Sequence, residues 1–215
     1  MALTFYYLSG SPFAWKVWLA LEHKRVKYEL RVLSRDGGEL ATPGFRALNL
    51  HGRSPVIDHR GFSLYESTAI IEYIEETFAG RSLWPKGRQA RAVARRIQAE
   101  SDSYLYPPMR RIVGELLLKD NAAPDWHIVA IAANEAAACA GVLASSLREP
   151  YFCGQRPCAA DFSVYPLAAI MARLSSRLNE RELRFKLPEP FLDWRERMSA
   201  RSIVAATKPP HWSKS

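Results

Sequence analysis

Leu3 to Leu8, six residues of aliphatic, aromatic and β-branched character, run straight into a turn and then into a helical pattern, and this junction limits the folds open to the chain. A short run that is apolar on both pleat faces reads as a strand buried in the middle of a sheet. Ser9, Gly10, Ser11 and Pro12 then make a turn. From Phe13 the apolar residues recur at helical spacing, with Phe13, Val17, Ala20 and Leu21 on one face and Lys16 and Glu22 elsewhere. Ser11 is thereby expected at a helix N-cap and Pro12 at the first helical position. The amino end of a helix offers unpaired N–H groups and partial positive charge, so an anion is favoured there. A hydroxyl at that place caps the helix; it is also able to donate a hydrogen bond to a thiolate and hold it ionised near neutral pH.

Farther on, Val26, Tyr28, Leu30 and Val32 alternate with charged residues, which predicts a half-exposed strand over 27–33. Strand, helix and strand make a βαβ unit, right-handed with parallel strands. After a polar loop from Ser34 to Thr42 comes Asn49 to Asp58, where Pro55 belongs at a sheet edge or a strand start because it has no N–H for a ladder. Val56-Ile57 and Phe62 to Leu64 predict a hairpin around the three-residue turn His59-Arg60-Gly61. A strand starting there leaves the main chain of Val56 open to an extended ligand, although an ordinary edge proline gives the same pattern. From Glu66 a helix is expected to about Phe78, with Ile70, Ile71, Ile74 and Phe78 inward and Glu72, Glu75 and Glu76 outward. Its start, Glu66-Ser67-Thr68, gathers a carboxylate, two hydroxyls and unpaired N–H groups, which suits both charges of an α-amino acid end. Many capped helix starts present similar groups.

Gly80 to Gly87, with Pro85 between them, reads as a linker and divides the chain into domains over 1–80 and 88–215. Beyond it the pattern is helical: Arg88 to Lys119, kinked or interrupted at Pro107-Pro108, then Asp125 to Arg148, a third helix from Cys158–Asp161 through Leu174, and a fourth over Phe191 to Met198 with Trp194 inward. The net charge of +8 is not evenly spread. Residues 1–80 hold nine basic and nine acidic residues, leaving 21 basic against 13 acidic for the rest. Arg88, Arg91 and Arg95 form a basic helical face that suits solvent or an anionic ligand better than a nucleic-acid groove, so nucleic acid is not an expected partner. No run is expected to have the apolar length needed to cross a bilayer, and no signal peptide is expected. Cys139, Cys153 and Cys158 fit neither a disulfide framework nor a zinc spacing, so no metal is expected, the default setting is the reducing cytoplasm, and Cys139 is expected to be a buried thiol.

Five stretches, SPFAWKVWLALE, NLHGRSPVI, LYESTAIIEYIEE, YFCGQRPCAADF and FLDWRERM, lie in this order along nearly the whole chain. Together they resemble the soluble glutathione transferase family, as a serine-type, bacterial-looking member. The resemblance implies an α/β plus all-α architecture: a thioredoxin-like amino-terminal domain followed by an all-helical domain, usually as a homodimer. It implies an enzyme that joins the thiolate of glutathione, its co-substrate, to a small apolar electrophile. Ser11 then matches the thiol-activating hydroxyl, with Ser9 as the rival if the turn is shifted. Ser54, Pro55 (cis in the family) and Val56 match the segment beside the cysteinyl part of glutathione, Arg53 the partner of its glycine carboxylate, and Glu66 and Ser67 the holders of its γ-glutamyl end. The electrophile is expected between the domains, against Phe13, Tyr104, Tyr106 and Met109, under Trp212 and near Arg110. Trp15 and Trp18 stand where the family often has arginine, Ser54 where a branched residue is usual, and Cys158 where Ser or Thr caps a helix. The alternative is a non-catalytic protein of the same fold that binds ligands or docks on a partner.

Overall fold

The computed structural model describes residues 3–34, 37–119 and 122–214. Contacts divide the chain into two compact units, Met1–Leu83 with Ala200–Ser215, and Trp84–Ser199. This grouping differs from a cut into 1–80 and 88–215 chiefly at the carboxyl end, where the last residues belong with the first unit.

The first unit is built on a four-stranded sheet in the order β2-β1-β3-β4. β1 (Leu3–Leu8) lies inside it, parallel to β2 (Tyr28–Leu33) and antiparallel to β3 (Val56–His59), which pairs in turn with β4 (Phe62–Tyr65). Both faces of β1 are covered, which is why its run is apolar throughout. On one face Tyr7 packs on Trp18 of α1 (Pro12–Lys24), ring centroids 4.7 Å apart. On the other, Tyr6 meets Phe45 of α2 (Pro43–Leu48) edge-on at 6.1 Å. α3 (Ser67–Thr77) packs against α1 and buries Ile70, Ile71 and Ile74 as its periodicity predicts.

Several local expectations need correction. Val32 is 52 % exposed and Leu33 is buried, because the end of β2 turns Leu33 into a cluster with Leu8, Phe45 and Val56. The hairpin turn has two residues, Arg60 and Gly61, both at positive φ, so His59 completes β3. Lys16 is only 1 % exposed. The short α9 (Ser202–Thr207) packs on α1, where Trp15 bonds Thr207, and the Lys16 ammonium lies 5.2 Å from the Phe13 ring centroid. Glu75 is drawn inward by the buried Lys24 at 2.7 Å, by the Ser82 hydroxyl and by the Leu83 N–H. α2 was not anticipated, although Thr42 followed by Pro43 is a cap signal, and Thr42 Oγ1 does accept from Phe45 N at 3.3 Å.

The second unit consists of α4 (Arg88–Glu100), α5 (Tyr106–Leu117), α6 (Trp126–Ala144), α7 (Ala159–Asn179) and α8 (Glu189–Ser199). Ser101–Leu105 joins α4 to α5 as a π-helical segment, so the interruption falls one turn before the prolines. Pro107 and Pro108 lack the N–H groups that would bond the carbonyls of Ser103 and Tyr104. The Cys139 thiol donates to the Tyr104 carbonyl instead, at 3.3 Å, and Cys139 is half-buried rather than buried. Asp125 caps α6 by accepting from His127 N and Ile128 N. This helix, 19 residues with a mean hydropathy of 1.5, is long and apolar enough to cross a bilayer, against the expectation that no run approaches that length. Its hydropathy comes from five Ile, Val and Leu residues together with eight alanines, and it buries Val129, Ala132, Ala136, Ala140 and Leu143 while packing on α5 and α8.

Asp161 organises the start of α7. It is fully buried and accepts from Cys158 N at 2.9 Å, Phe152 N at 3.1 Å and Trp194 Nε1 at 2.8 Å, while the Cys158 sulfur accepts from the Asp161 N–H. Burial pushes the Asp161 carboxyl up, and these bonds pull it back toward the ionised form. Cysteine therefore does stand at the N-cap, and Trp194 of α8 is inward as predicted, with no exposed surface.

Candidate functional site

The turn after β1 is fixed from below and from the tail of the chain. Ser11 N donates to Leu8 O at 3.0 Å, closing the turn, and Ser11 Oγ accepts from Ala14 N at 3.3 Å, which makes it the N-cap of α1. A hydroxyl that only accepts keeps its own proton for a further acceptor. Ser9 is differently placed: its Oγ lies 2.8 Å from His211 Nδ1 and also bonds the Tyr7 hydroxyl. Tyr7 lies beneath, fully buried; burial pushes its phenol up, and its oxygen accepts from Gly10 N at 3.4 Å. Gly10 adopts φ 84°, a conformation that favours glycine, and a Cβ there would stand 3.1 Å from His211 Cε1 and press on that ring.

The segment before β3 is held by a residue that sequence reasoning missed. Asn49 is 2 % exposed; its Nδ2 donates to Arg53 O at 2.7 Å and its Oδ1 accepts from His51 N at 3.0 Å. The only signal for it was an amide residue opening a glycine-containing turn. Ser54-Pro55 is cis. The Ser54 hydroxyl accepts from Leu8 N at 3.0 Å and donates to Tyr6 O at 3.3 Å, so it continues the β1 ladder past its last pair. Its presence in place of a branched residue thus has a structural reason. The Arg53 side chain is exposed. Val56 is not at an edge: β3 is an inner strand, Val56 lies between Tyr6 and Tyr65, and it has no exposed surface.

Glu66 precedes α3 at φ 68° and ψ 109°, a conformation that non-glycine residues rarely adopt and that tends to be kept at functional positions. Its carboxylate is exposed and makes no capping bond, while Ser67 is buried at the first helical position. The amino ends of α1 and α3 therefore both belong to the first unit, the one carrying a hydroxyl and the other a carboxylate.

Trp15 and Trp18 do not obstruct the turn, because both are core residues. Trp15 Nε1 donates to Thr207 Oγ1 at 2.9 Å, and Trp18 Nε1 to the Tyr28 hydroxyl, which donates in turn to Glu22. Phe13 is half-buried in α1, and Trp212 is half-buried with its ring edge-on to Trp15 at 5.2 Å. In the second unit, Met109 is 1 % exposed on the inner face of α5 with Ile112, so it serves the core and is not open to a ligand. Tyr104 is 65 % exposed. Tyr106 and Arg110, with Pro107 and Arg111, line a cavity of about 390 Å³. Among the described residues no group of three His, Cys, Asp or Glu side chains stands close enough to hold a metal ion.

Residues 5–82 match the family described as glutathione S-transferase, N-terminal domain. Over its full length the fold superposes on a glutathione S-transferase from the Antarctic clam Laternula elliptica with a TM-score of 0.83, at 23 % identity, covering 100 % of this chain and 95 % of that one. The thioredoxin-like sheet unit and helical unit are thus those of the glutathione transferase fold. A maleylacetoacetate isomerase of Dictyostelium discoideum is 35 % identical over 99 residues, 45 % of each chain. A probable glutathione S-transferase of Nicotiana tabacum is 40 % identical over 85 residues, 40 % of this chain and 37 % of its own. The chain therefore spans less than half the length of these curated relatives.

Proposed function

We infer that the protein is a glutathione transferase of the serine type. One observation carries the reading: at the amino end of α1 the Ser11 hydroxyl accepts from Ala14 N and retains its proton, whereas the neighbouring Ser9 is held by His211 and Tyr7. A thiolate beside Ser11 receives that proton in a hydrogen bond and feels the positive end of the helix, and both favour the ionised sulfur. Tyr7, buried and with a raised pKa, does not compete for this task.

Glutathione is the thiol that the match over residues 5–82 and the named relatives support. In this reading the Glu66 carboxylate takes the γ-glutamyl ammonium and the Ser67 end of α3 its carboxylate, while the exposed Arg53 pairs with the glycine carboxylate. Ser54 and Pro55 shape the segment between them, and Val56 is the wall behind it. The thiolate attacks the carbon of a small apolar electrophile, the leaving group departs with the bonding electrons, and a thioether remains. Phe13 and Trp212 in the first unit, and Tyr104, Tyr106 and Arg110 in the second, are the candidates for the electrophile side. A homodimer and a cytoplasmic setting belong to the same reading.

The test is glutathione binding by calorimetry together with conjugation of a generic aryl halide. Binding with turnover is the expected result. Binding without turnover across a broad panel of electrophiles assigns the chain to the non-catalytic alternative, and absence of binding overturns both.

A further inference from the structure

The start of α5 divides its residues by face. Tyr106, Pro107, Arg110 and Arg111 lie at i, i+1, i+4 and i+5 on one side of the helix, where they line the cavity of about 390 Å³, while Pro108, Met109 and Ile112 are buried on the other. The two guanidinium groups of this lining are not equivalent. Arg111 is ion-paired with Glu135 of α6, so its charge is met within the protein. Arg110 is exposed, and among the described residues no ion pair or hydrogen bond engages its side chain. The acids of α5 and α6 are both committed: Glu135 holds Arg111, and Glu115 accepts from Lys119 Nζ at 2.7 Å and from Asp125 N at 2.8 Å. The cavity therefore sets the apolar surface of Tyr106 and Pro107 beside one positive charge that no carboxylate of these helices offsets.

We propose that this cavity is a subsite for an aromatic carboxylate, which narrows the small electrophile to one with an apolar ring and an acid group on it. As an electrophile site it rests on the transferase reading, which supplies the thiolate; the binding of the carboxylate does not.

The ligand class follows from the lining. A guanidinium presents two parallel N–H groups to the two oxygens of a carboxylate, and a flat ring joined to that carboxylate covers the surface of Tyr106 and Pro107. The volume stands near the lower end of the range for ligand cavities, about 300–1,000 Å³, so a single substituted ring suits it better than a fused system. Residues 81–215 hold 21 basic against 13 acidic residues, and this excess draws anions toward the part of the chain that bears the cavity. In the reaction the glutathione thiolate, its proton already given to solvent, bonds the ring carbon. The halide leaves with the bonding electrons, and the carboxylate is unchanged.

The probes are a chloronitrobenzoate and its neutral amide as electrophiles, and nitrobenzoate, which has no halide to lose, as a ligand followed by NMR titration. With each rate divided by that of the uncatalysed reaction with glutathione, wild type is expected to show the higher kcat/KM for the carboxylate. In Arg110→Gln the carboxylate-to-amide ratio falls about ten-fold, the worth of one charge-assisted pair, and Arg110→Lys, which keeps the charge without the fork, falls between. Nitrobenzoate binds Arg110→Gln more weakly than wild type by a similar factor. Turnover of both electrophiles with the same ratio in wild type and Arg110→Gln overturns the proposal and leaves the transferase reading standing. Turnover of neither overturns the transferase reading, and the titration then decides the subsite: weaker nitrobenzoate binding in Arg110→Gln supports it, and equal binding or none overturns it.

Discussion

The Ser9 hydroxyl and His211 Nδ1 lie 2.8 Å apart, although 202 positions separate them in the chain. The contact brings the carboxyl-terminal residues against the turn that carries Ser11, and Trp212 on Trp15 reinforces it. It also separates two serines that the sequence leaves as rivals: Ser9 anchors the tail, and Ser11 caps α1. Removing the anchor is expected to cost little. Ser9→Ala should lower stability by about 1 kcal/mol, the usual net value of one partly exposed hydrogen bond. Chemical denaturation measures the loss, and the ionisation of bound glutathione in this variant should match wild type.

Asp161→Ala should be far more disruptive. Three donors, Phe152 N, Cys158 N and Trp194 Nε1, lose their common acceptor in the core. Buried donors left without partners each cost about 1–3 kcal/mol, so a loss of several kcal/mol is expected. A fall in yield and in melting temperature, with the remaining folded fraction still binding glutathione, is the predicted outcome.

Glu75→Gln tests the tie between α1 and α3. Lys24 is buried and Glu75 lies 2.7 Å from it, so removing the negative charge strands an ammonium. Breaking such a pair from one side costs about 3 kcal/mol. Burial alone raises the Glu75 carboxyl, but the bonds from Lys24, Ser82 and Leu83 outweigh it and lower the pKa. A carboxylate lowered on folding stabilises above its unfolded pKa, and that contribution is lost as pH falls through the folded value. The variant should therefore lose this acid-sensitive component.

His23 supplies a second pH dependence of known sign. Burial chiefly, then the charge of Arg81, lowers its pKa from 6.5 to about 4. Between these values the unfolded chain binds a proton that the folded chain refuses, so stability is full above about 6.5 and declines as pH drops toward about 4. The shift corresponds to about 3 kcal/mol over the window. Urea titrations at several pH values check this, and His23→Gln should flatten the slope there.

What the sequence discloses and what it conceals follow from the range of the interactions. The strand from Leu3, the turn, the Ser11 cap and the isoleucine face of α3 are set by neighbours a few residues away, and periodicity with cap chemistry finds them. Trp15 gives no sign of its partner Thr207, because α9 lies near the other end of the chain. Glu75 looks outward for the same reason: its partner Lys24 is 51 residues away. Met109 stands beside aromatic residues in the sequence, which suggests a ligand contact, but in α5 it lies buried together with Ile112. His211 carries no local signal at all, and only the tail's return to β1 gives it a role. Resemblance across five stretches supplied the architecture, and local physics supplied the cap.

The ionisation of glutathione bound to wild type and to Ser11→Ala, followed by thiolate absorbance across pH, tests the central claim most directly. A single charge-assisted hydrogen bond is worth about 1.5–3 kcal/mol, so the thiol pKa should rise by about one to two units in the variant, with a matching loss of conjugation rate near neutral pH. Equal thiol pKa values and equal rates in the two proteins would contradict the account.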